Sequence, residues 1–185
     1  MAEIQTVAVI GAGMSGRRIA HASALAGYRT ILEDILPGSL RKAEAEMRAG
    51  LEQALDLGRV SKQEVEAALA LMVYASSVEE AARQADLVIE AVPDELESKL
   101  EIFILLDKVS RPETIFATST PSLDVSEIAS VTYRREKCVG MRFIRLEDSL
   151  QMEITRAQET NQETMAACAE VARRINHRLT ASPRK

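Results

Sequence analysis

The segment Val7-Ala8-Val9-Ile10-Gly11-Ala12-Gly13-Met14-Ser15-Gly16 constrains this chain more than any other, because it demands a buried strand, a tight turn and a helix in quick succession. A second apolar run ends in the acidic pair Glu33-Asp34, and Asp34 stands 18 residues beyond Gly16. Strand, glycine turn, helix and a second strand closed by a carboxylate are the parts of a dinucleotide-binding βαβ unit. Gly11 permits the turn out of the strand, Gly13 lets a pyrophosphate approach bare backbone, and Gly16 lets the helix pack close to the sheet. The N–H groups at Met14, Ser15 and Gly16 open that helix, where its dipole favours negative charge. Asp34 accepts both hydroxyls of an adenosine ribose and repels a 2′-phosphate, which favours NAD over NADP. Glu33 or Asp34 suits an FAD ribose equally, so a flavin stands as the alternative.

The 185 residues suffice for one α/β domain with a sizeable core, spanning 1–185, and are too few for two full ones. A net charge of −5 without a basic block, and only 3% aromatic residues, argue against a nucleic-acid partner. The first apolar run lacks the pattern of a signal peptide, and no segment approaches transmembrane length, so no membrane partner is expected. Cys138 and Cys168 lie 30 residues apart without a CxxC pair or a neighbouring histidine. They read as reduced, partly buried thiols of a cytoplasmic protein, and no metal site is expected.

Along the chain, strand-like runs near 4–10, 29–34, 73–75, 86–92, 114–117, 137–144 and 150–155 alternate with helical patterns. This alternation predicts a Rossmann-type, doubly wound, mostly parallel sheet with helices on both faces. The expected strand order is 3-2-1-4-5-6, with extra strands at the far edge and the ligand at the switch between strands one and four. A charged helix from Pro37 to about Leu57 and a second, opened by the capping box Ser61-x-x-Glu64, insert a helical pair between strands two and three. An amphipathic helix is expected from about Asp94 to Val109 and another near 161–175, with Arg178-Leu179-Thr180-Ala181 as a last short strand.

The glycine segment, Asp86-Leu87-Val88-Ile89-Glu90-Ala91-Val92-Pro93 and Thr114-Ile115-Phe116-Ala117-Thr118-Ser119-Thr120-Pro121-Ser122-Leu123 resemble, in order, the NAD-binding domain of L-3-hydroxyacyl-CoA dehydrogenases. The inserted helical pair at 37–72 matches that family too. The resemblance implies NAD held by Gly11, Gly13, Gly16 and Asp34. It places Ala91, with Val92, along the cofactor after the fourth strand, and Thr118 on the ligand edge. Lys99 falls where the family has a lysine near the nicotinamide side, and Asp94 where many members have a glutamate. The substrate implied is an acyl-CoA-like anion.

The family's chemistry carries over badly. Its catalytic histidine lies in a Gly-apolar-His-Phe-Phe-Asn-Pro segment, which here reads Gly140-Met141-Arg142-Phe143-Ile144-Arg145-Leu146. Arg142 takes the histidine position, and Pro121 takes that of a serine that reaches the substrate oxygen. Glu153 matches the glutamate that orients the histidine. Oxidising a hydroxyl requires a base near neutral pKa, and guanidinium has no acceptor. Arg142 is therefore a catalytic candidate for alkoxide or anion stabilisation rather than proton abstraction, and Glu153 a candidate as the orienting carboxylate. The family continues into a helical domain that roofs the acyl-CoA cleft and forms the dimer, whereas this sequence stops at Lys185. The apolar surface facing that domain is expected to be repolarised, covered, or paired with a partner domain or a second copy.

Arg142, Arg145 and Arg156 read in two ways: a positive mouth near the nicotinamide, or pairs with Glu147, Asp148 or Glu153. His21, His177, Tyr133 and the methionines read as packing or surface residues. Three functions stay open on the sequence: an NAD(H)-binding module with weak or lost dehydrogenase activity, an oxidoreductase completed by a partner chain, and an NAD redox sensor or scaffold.

Overall fold

In a computed structural model of the chain, residues 3–146 and 149–180 are described, except for the side chains at 145, 146 and 149. β1 (Thr6–Ile10) sends Val7 and Val9 to one face of the sheet and Ala8 and Ile10 to the other, all four buried. Strands covered on both faces read as unbroken apolar runs, and β4 (Leu87–Glu90) keeps to this until it ends in a glutamate, while β2 (Arg29–Glu33) sets only Ile31 and Leu32 between Arg29-Thr30 and its own terminal glutamate. With β3 (Met72–Ala75), β5 (Ile115–Thr118), β6 (Cys138–Leu146) and β7 (Ser149–Arg156) the sheet runs β3-β2-β1-β4-β5-β6-β7. Every neighbouring pair is parallel except the antiparallel β6–β7 hairpin. This is the expected doubly wound order, reversing direction between β1 and β4.

α1 (Met14–Leu25) and α7 (Gln162–Thr180) cover one face, where Ile19, Cys168, Val171 and Ile175 join Val7, Val9, Ile89 and Met141. α4 (Val78–Gln84), α5 (Leu96–Val109) and α6 (Val125–Ala129) cover the other, where Ala81, Phe103, Leu106 and Ile128 meet Ala8, Ile10, Val88 and Phe116. The inserted pair is α2 (Pro37–Asp56) and α3 (Lys62–Leu71), held to α1 by a small cluster of Ala24, Met47, Leu51 and Ala68. The capping box forms: Glu64 N–H donates to Ser61 Oγ at 3.3 Å, and Ser61 N–H donates to Glu64 Oε2 at 2.7 Å.

Two expectations need correction. The last described residues, Arg178 to Thr180, are helix and not a strand, because α7 carries its apolar stripe through Val171, Ala172 and Ile175. Asn176 then fastens it to β7, accepting from Met152 N–H at 2.6 Å and donating to the Met152 carbonyl at 3.0 Å. Arg178 reaches Glu64 at 3.0 Å, and basic residues in a last turn suit the helix dipole. The helix after β4 begins at Leu96 rather than Asp94, since Asp94 is engaged elsewhere.

The crossing of β1, α1 and β4 is the closest in the fold. Gly11 has φ +99°, and a Cβ there would lie 2.9 Å from the Ala91 carbonyl oxygen; one on Gly16 would drive into the Gly11 carbonyl. Gly13 has open space around it. Gly16→Ala is therefore expected to cost about 1–3 kcal/mol or more, and Gly13→Ala less than about 1 kcal/mol. Thermal melts of the two variants check this, and equal losses would show the crossing to be looser than described.

Candidate functional site

At the carboxyl ends of β1, β2 and β4 the chain forms a cleft of about 810 Å³, within the range of small-molecule sites. Gly11, Gly13, Met14 and Ser15 line it on the α1 side, Asp34 on the β2 side, and Ala91, Val92 and Asp94 on the β4 side. The sequence-predicted residues thus converge from three separate elements. Arg17, Lys42, Val78, Ile102 and the exposed Ile35 and Leu36 complete the walls.

The helix end is built for an anion. α1 has no side-chain cap and no acidic residue in its first turn, and its first intrahelical bond is Arg17 N–H to the Gly13 carbonyl. The amides before Arg17 are free to face a diphosphate, and Gly13 adds no side chain to block the approach. Asp34 holds the turn in register: Oδ2 accepts from Ala12 N–H at 2.8 Å and Oδ1 from Leu36 N–H at 2.9 Å. Each carboxylate oxygen keeps a second lone pair, so ribose hydroxyls remain within its capacity. These residues fit a dinucleotide whose diphosphate lies on α1 and whose ribose lies on Asp34.

Two predicted contacts lie beneath the cleft rather than in its wall. Lys99 is 1% exposed and donates to Glu90 Oε1 at 2.8 Å, to Oε2 at 3.0 Å and to the Val92 carbonyl at 3.2 Å. Thr118, fully buried, donates to Glu90 Oε2 at 2.7 Å. The hub is Glu90, which sequence reasoning missed; it also accepts from Val92 N–H at 2.7 Å. Its signal was a carboxylate closing an otherwise apolar buried strand, which is stable only when paired. Asp94 accepts from Thr120 Oγ1 at 2.7 Å and Ser122 Oγ at 2.8 Å, 3.7 Å from Lys99 Nζ. Burial pushes its carboxyl upward, but those hydroxyls and Lys99 outweigh this and hold it below the usual range.

On β2, Glu33 points to the floor of the cleft and is 2% exposed. Burial, with the neighbouring Asp34 charge, pushes its carboxyl up to about 7.

Arg142 stands directly opposite Glu153 across the β6–β7 hairpin. Its Nε donates to Glu153 Oε2 at 3.1 Å, Nη2 lies 3.1 Å from the same oxygen, and Nη1 donates to the Pro121 carbonyl at 2.9 Å. Pro121 borders both the cleft and this corner. Of the two readings of these arginines, the structure has pairing for Arg142, and it separates Arg142 from Arg156. Arg142 pairs with Glu153, and Arg156, opposite Val139, falls on the other face of the hairpin by strand alternation. The Arg145 side chain, Glu147 and Asp148 lie outside the described residues. His21 is pushed below its ordinary pKa by burial on α1, and Tyr133 is fully exposed.

Comparison with known proteins agrees with this geometry. Residues 6–181 match the family model described as 3-hydroxyacyl-CoA dehydrogenase, NAD binding domain. A probable 3-hydroxybutyryl-CoA dehydrogenase of Bacillus subtilis is 32% identical over 88% of this chain and 56% of its own length. The 3-hydroxybutyryl-CoA dehydrogenase of Bradyrhizobium diazoefficiens is 31% identical over 98% of this chain and 62% of its own. The crystal structure of the (S)-3-hydroxybutyryl-CoA dehydrogenase of Ralstonia eutropha superposes with a TM-score of 0.88 at 26% identity, covering 94% of this chain and 62% of that one. The chain thus spans somewhat over half the length of these relatives. With the nucleotide cleft, the strand order and the match over nearly every residue in agreement, this chain belongs to the 3-hydroxyacyl-CoA dehydrogenase family and carries its NAD-binding domain.

Proposed function

We propose that residues 1–185 act as one NAD(H)-binding domain that, by itself, oxidises 3-hydroxyacyl-CoA weakly or not at all. The observation that carries this is the Arg142–Glu153 pair. NAD supplies a hydride acceptor when bound; the proton of a substrate hydroxyl must go to a protein base. A guanidinium clamped on Glu153 and the Pro121 carbonyl has no lone pair to receive it, and Pro121 offers no hydroxyl. Losing general-base assistance alone costs ~10²–10⁴ in rate.

The dinucleotide is placed by the α1 amides, with Asp34 as the ribose acceptor and Ala91 and Val92 along its path. Lys99 and Thr118 act as positioning residues through Glu90. The exposed Met14, Ile35 and Leu36 at the cleft rim favour closure by a partner domain or second copy, and an acyl-CoA-like anion remains the ligand class the family suggests. An oxidoreductase completed that way is the second reading, supported by the Arg142–Glu153 contact, which leaves guanidinium donors near the cleft mouth for an oxyanion. Burial pushes the thiols of Cys138 and Cys168 up to about 11 and about 12, which leaves them poor nucleophiles; a cytoplasmic setting is proposed on the sparse cysteine content alone. Among the described residues no helix is long and apolar enough to cross a membrane.

Three outcomes are expected. NAD at one hundred times its dissociation constant should stabilise the chain by about 2.7 kcal/mol, a rise in Tm of roughly 5–10 °C; no rise would refute the cofactor assignment. Asp34→Ser should weaken NAD and narrow its advantage over NADP in a calorimetric titration, whereas an unchanged ratio would remove Asp34 from the ribose. Arg142→His should raise 3-hydroxybutyryl-CoA oxidation, by up to about 10²-fold, from a wild-type rate near background. Ordinary turnover by the wild type, or loss of turnover on this substitution, would favour the second reading.

A further inference from the structure

Glu33 takes no part in the contacts of Asp34, Glu90 or Arg142 described above. The residue is 2% exposed on the cleft floor, and neither a hydrogen bond nor an ion pair holds its carboxyl among the described residues. An anion in that position has lost most of its water and gained no partner, which raises the cost of its charge. Strand alternation decides where it points. Leu32 faces α1 and α7, while Ile31 and Glu33 face α4 and α5. Its cross-strand neighbours are Ile10 on β1 and Ala75 on β3, and its own carbonyl accepts from Gly11 N–H at 2.9 Å, so its backbone is tied to the glycine turn. Val78, Val92 and Ile102 border the same part of the cleft and offer apolar faces.

Resting on the placement of the dinucleotide above, we infer that Glu33 reads the adenine ring: its carboxyl, in the neutral form, donates to N1 and accepts from the N6 amine. The base joined to the ribose on Asp34 lies within one sugar's reach of Asp34, and so beside its neighbour Glu33. A flat ring between apolar side chains presents only its edge to a polar group. Adenine's edge there is one acceptor beside one donor, and a protonated carboxyl is one donor beside one acceptor. An ionised carboxylate accepts only and faces the N1 lone pair with another lone pair. Asp34 opposes ionisation of Glu33, and a ring covering the floor would remove its remaining water, so binding and protonation favour each other. The other charged groups lining the cleft are otherwise engaged: Arg17 with Glu46 at 2.7 Å, Lys42 3.9 Å from Glu46, and Asp94 with Thr120 and Ser122.

Because the free carboxyl titrates at about 7, the competent fraction falls about tenfold between pH 6 and pH 8, and apparent NAD affinity should fall by the same factor. Calorimetric titration of the full chain at both pH values tests this, with NAD and with 1,N6-etheno-NAD, whose N1 and N6 are bridged. Wild type should bind NAD about tenfold more weakly at pH 8 than at pH 6 and show no such dependence for the etheno analogue. Glu33→Gln, a permanently neutral donor and acceptor, should bind NAD at pH 8 as wild type does at pH 6. NAD affinity that is flat with pH in the wild type, or equally steep in Glu33→Gln, would overturn the assignment. Absence of NAD binding by both proteins at both pH values would instead overturn the placement of the dinucleotide.

Discussion

The structure depends on one close approach, where the carbonyl of Gly11, the backbone of Gly16 and the Ala91 peptide meet at the crossing of β1, α1 and β4. No side chain fits between them. That contact brings the start of α1 against the sheet at the point where strand order reverses, and it opens the amides of the helix toward the cleft. The reversal leaves a crevice on the carboxyl side of the strands, and the residues proposed to hold the dinucleotide stand at its rim or under its floor.

Charge is distributed there with a consistent logic. Of the carboxylates that end or follow β2 and β4, three are met in different ways. Asp34 is held by two backbone amides and keeps lone pairs for a ligand. Glu90 is completely buried and neutralised by Lys99, Thr118 and Val92 N–H, so it shapes the Ala91–Asp94 turn and does not touch solvent. Glu33 is buried without a side-chain partner among the described residues, and burial with the Asp34 charge pushes its carboxyl up to about 7. At the opposite end of the crevice the corresponding pair is Arg142 and Glu153, a positive and a negative group already satisfied by one another. The nucleotide cleft is open to a ligand, while Arg142 is held by Glu153 and the Pro121 carbonyl.

Much of this was legible in the chain because glycines, an acidic strand end and continuous apolar runs each express a local physical demand. Gly11, Gly13, Met14, Ser15, Asp34, Ala91, Val92 and Asp94 were placed from such demands, or from family motifs, in the wall where the structure has them. What the chain left undecided depended on distance in three dimensions. Lys99 and Thr118 turn inward because Glu90, far from Thr118 in sequence, is buried between them. Arg142 and Arg156 separate because register across the β6–β7 hairpin assigns them to opposite faces. The last helix outran its expected end because Asn176 hydrogen-bonds to β7, a contact that helical periodicity alone does not reveal.

The most direct test is a crystal structure of the chain grown with NADH. The account requires the diphosphate against the amides of residues 13–16, the adenosine ribose on Asp34, and Arg142 still clamped to Glu153. A dinucleotide bound elsewhere, or Arg142 released from Glu153 to contact the nicotinamide, would contradict it.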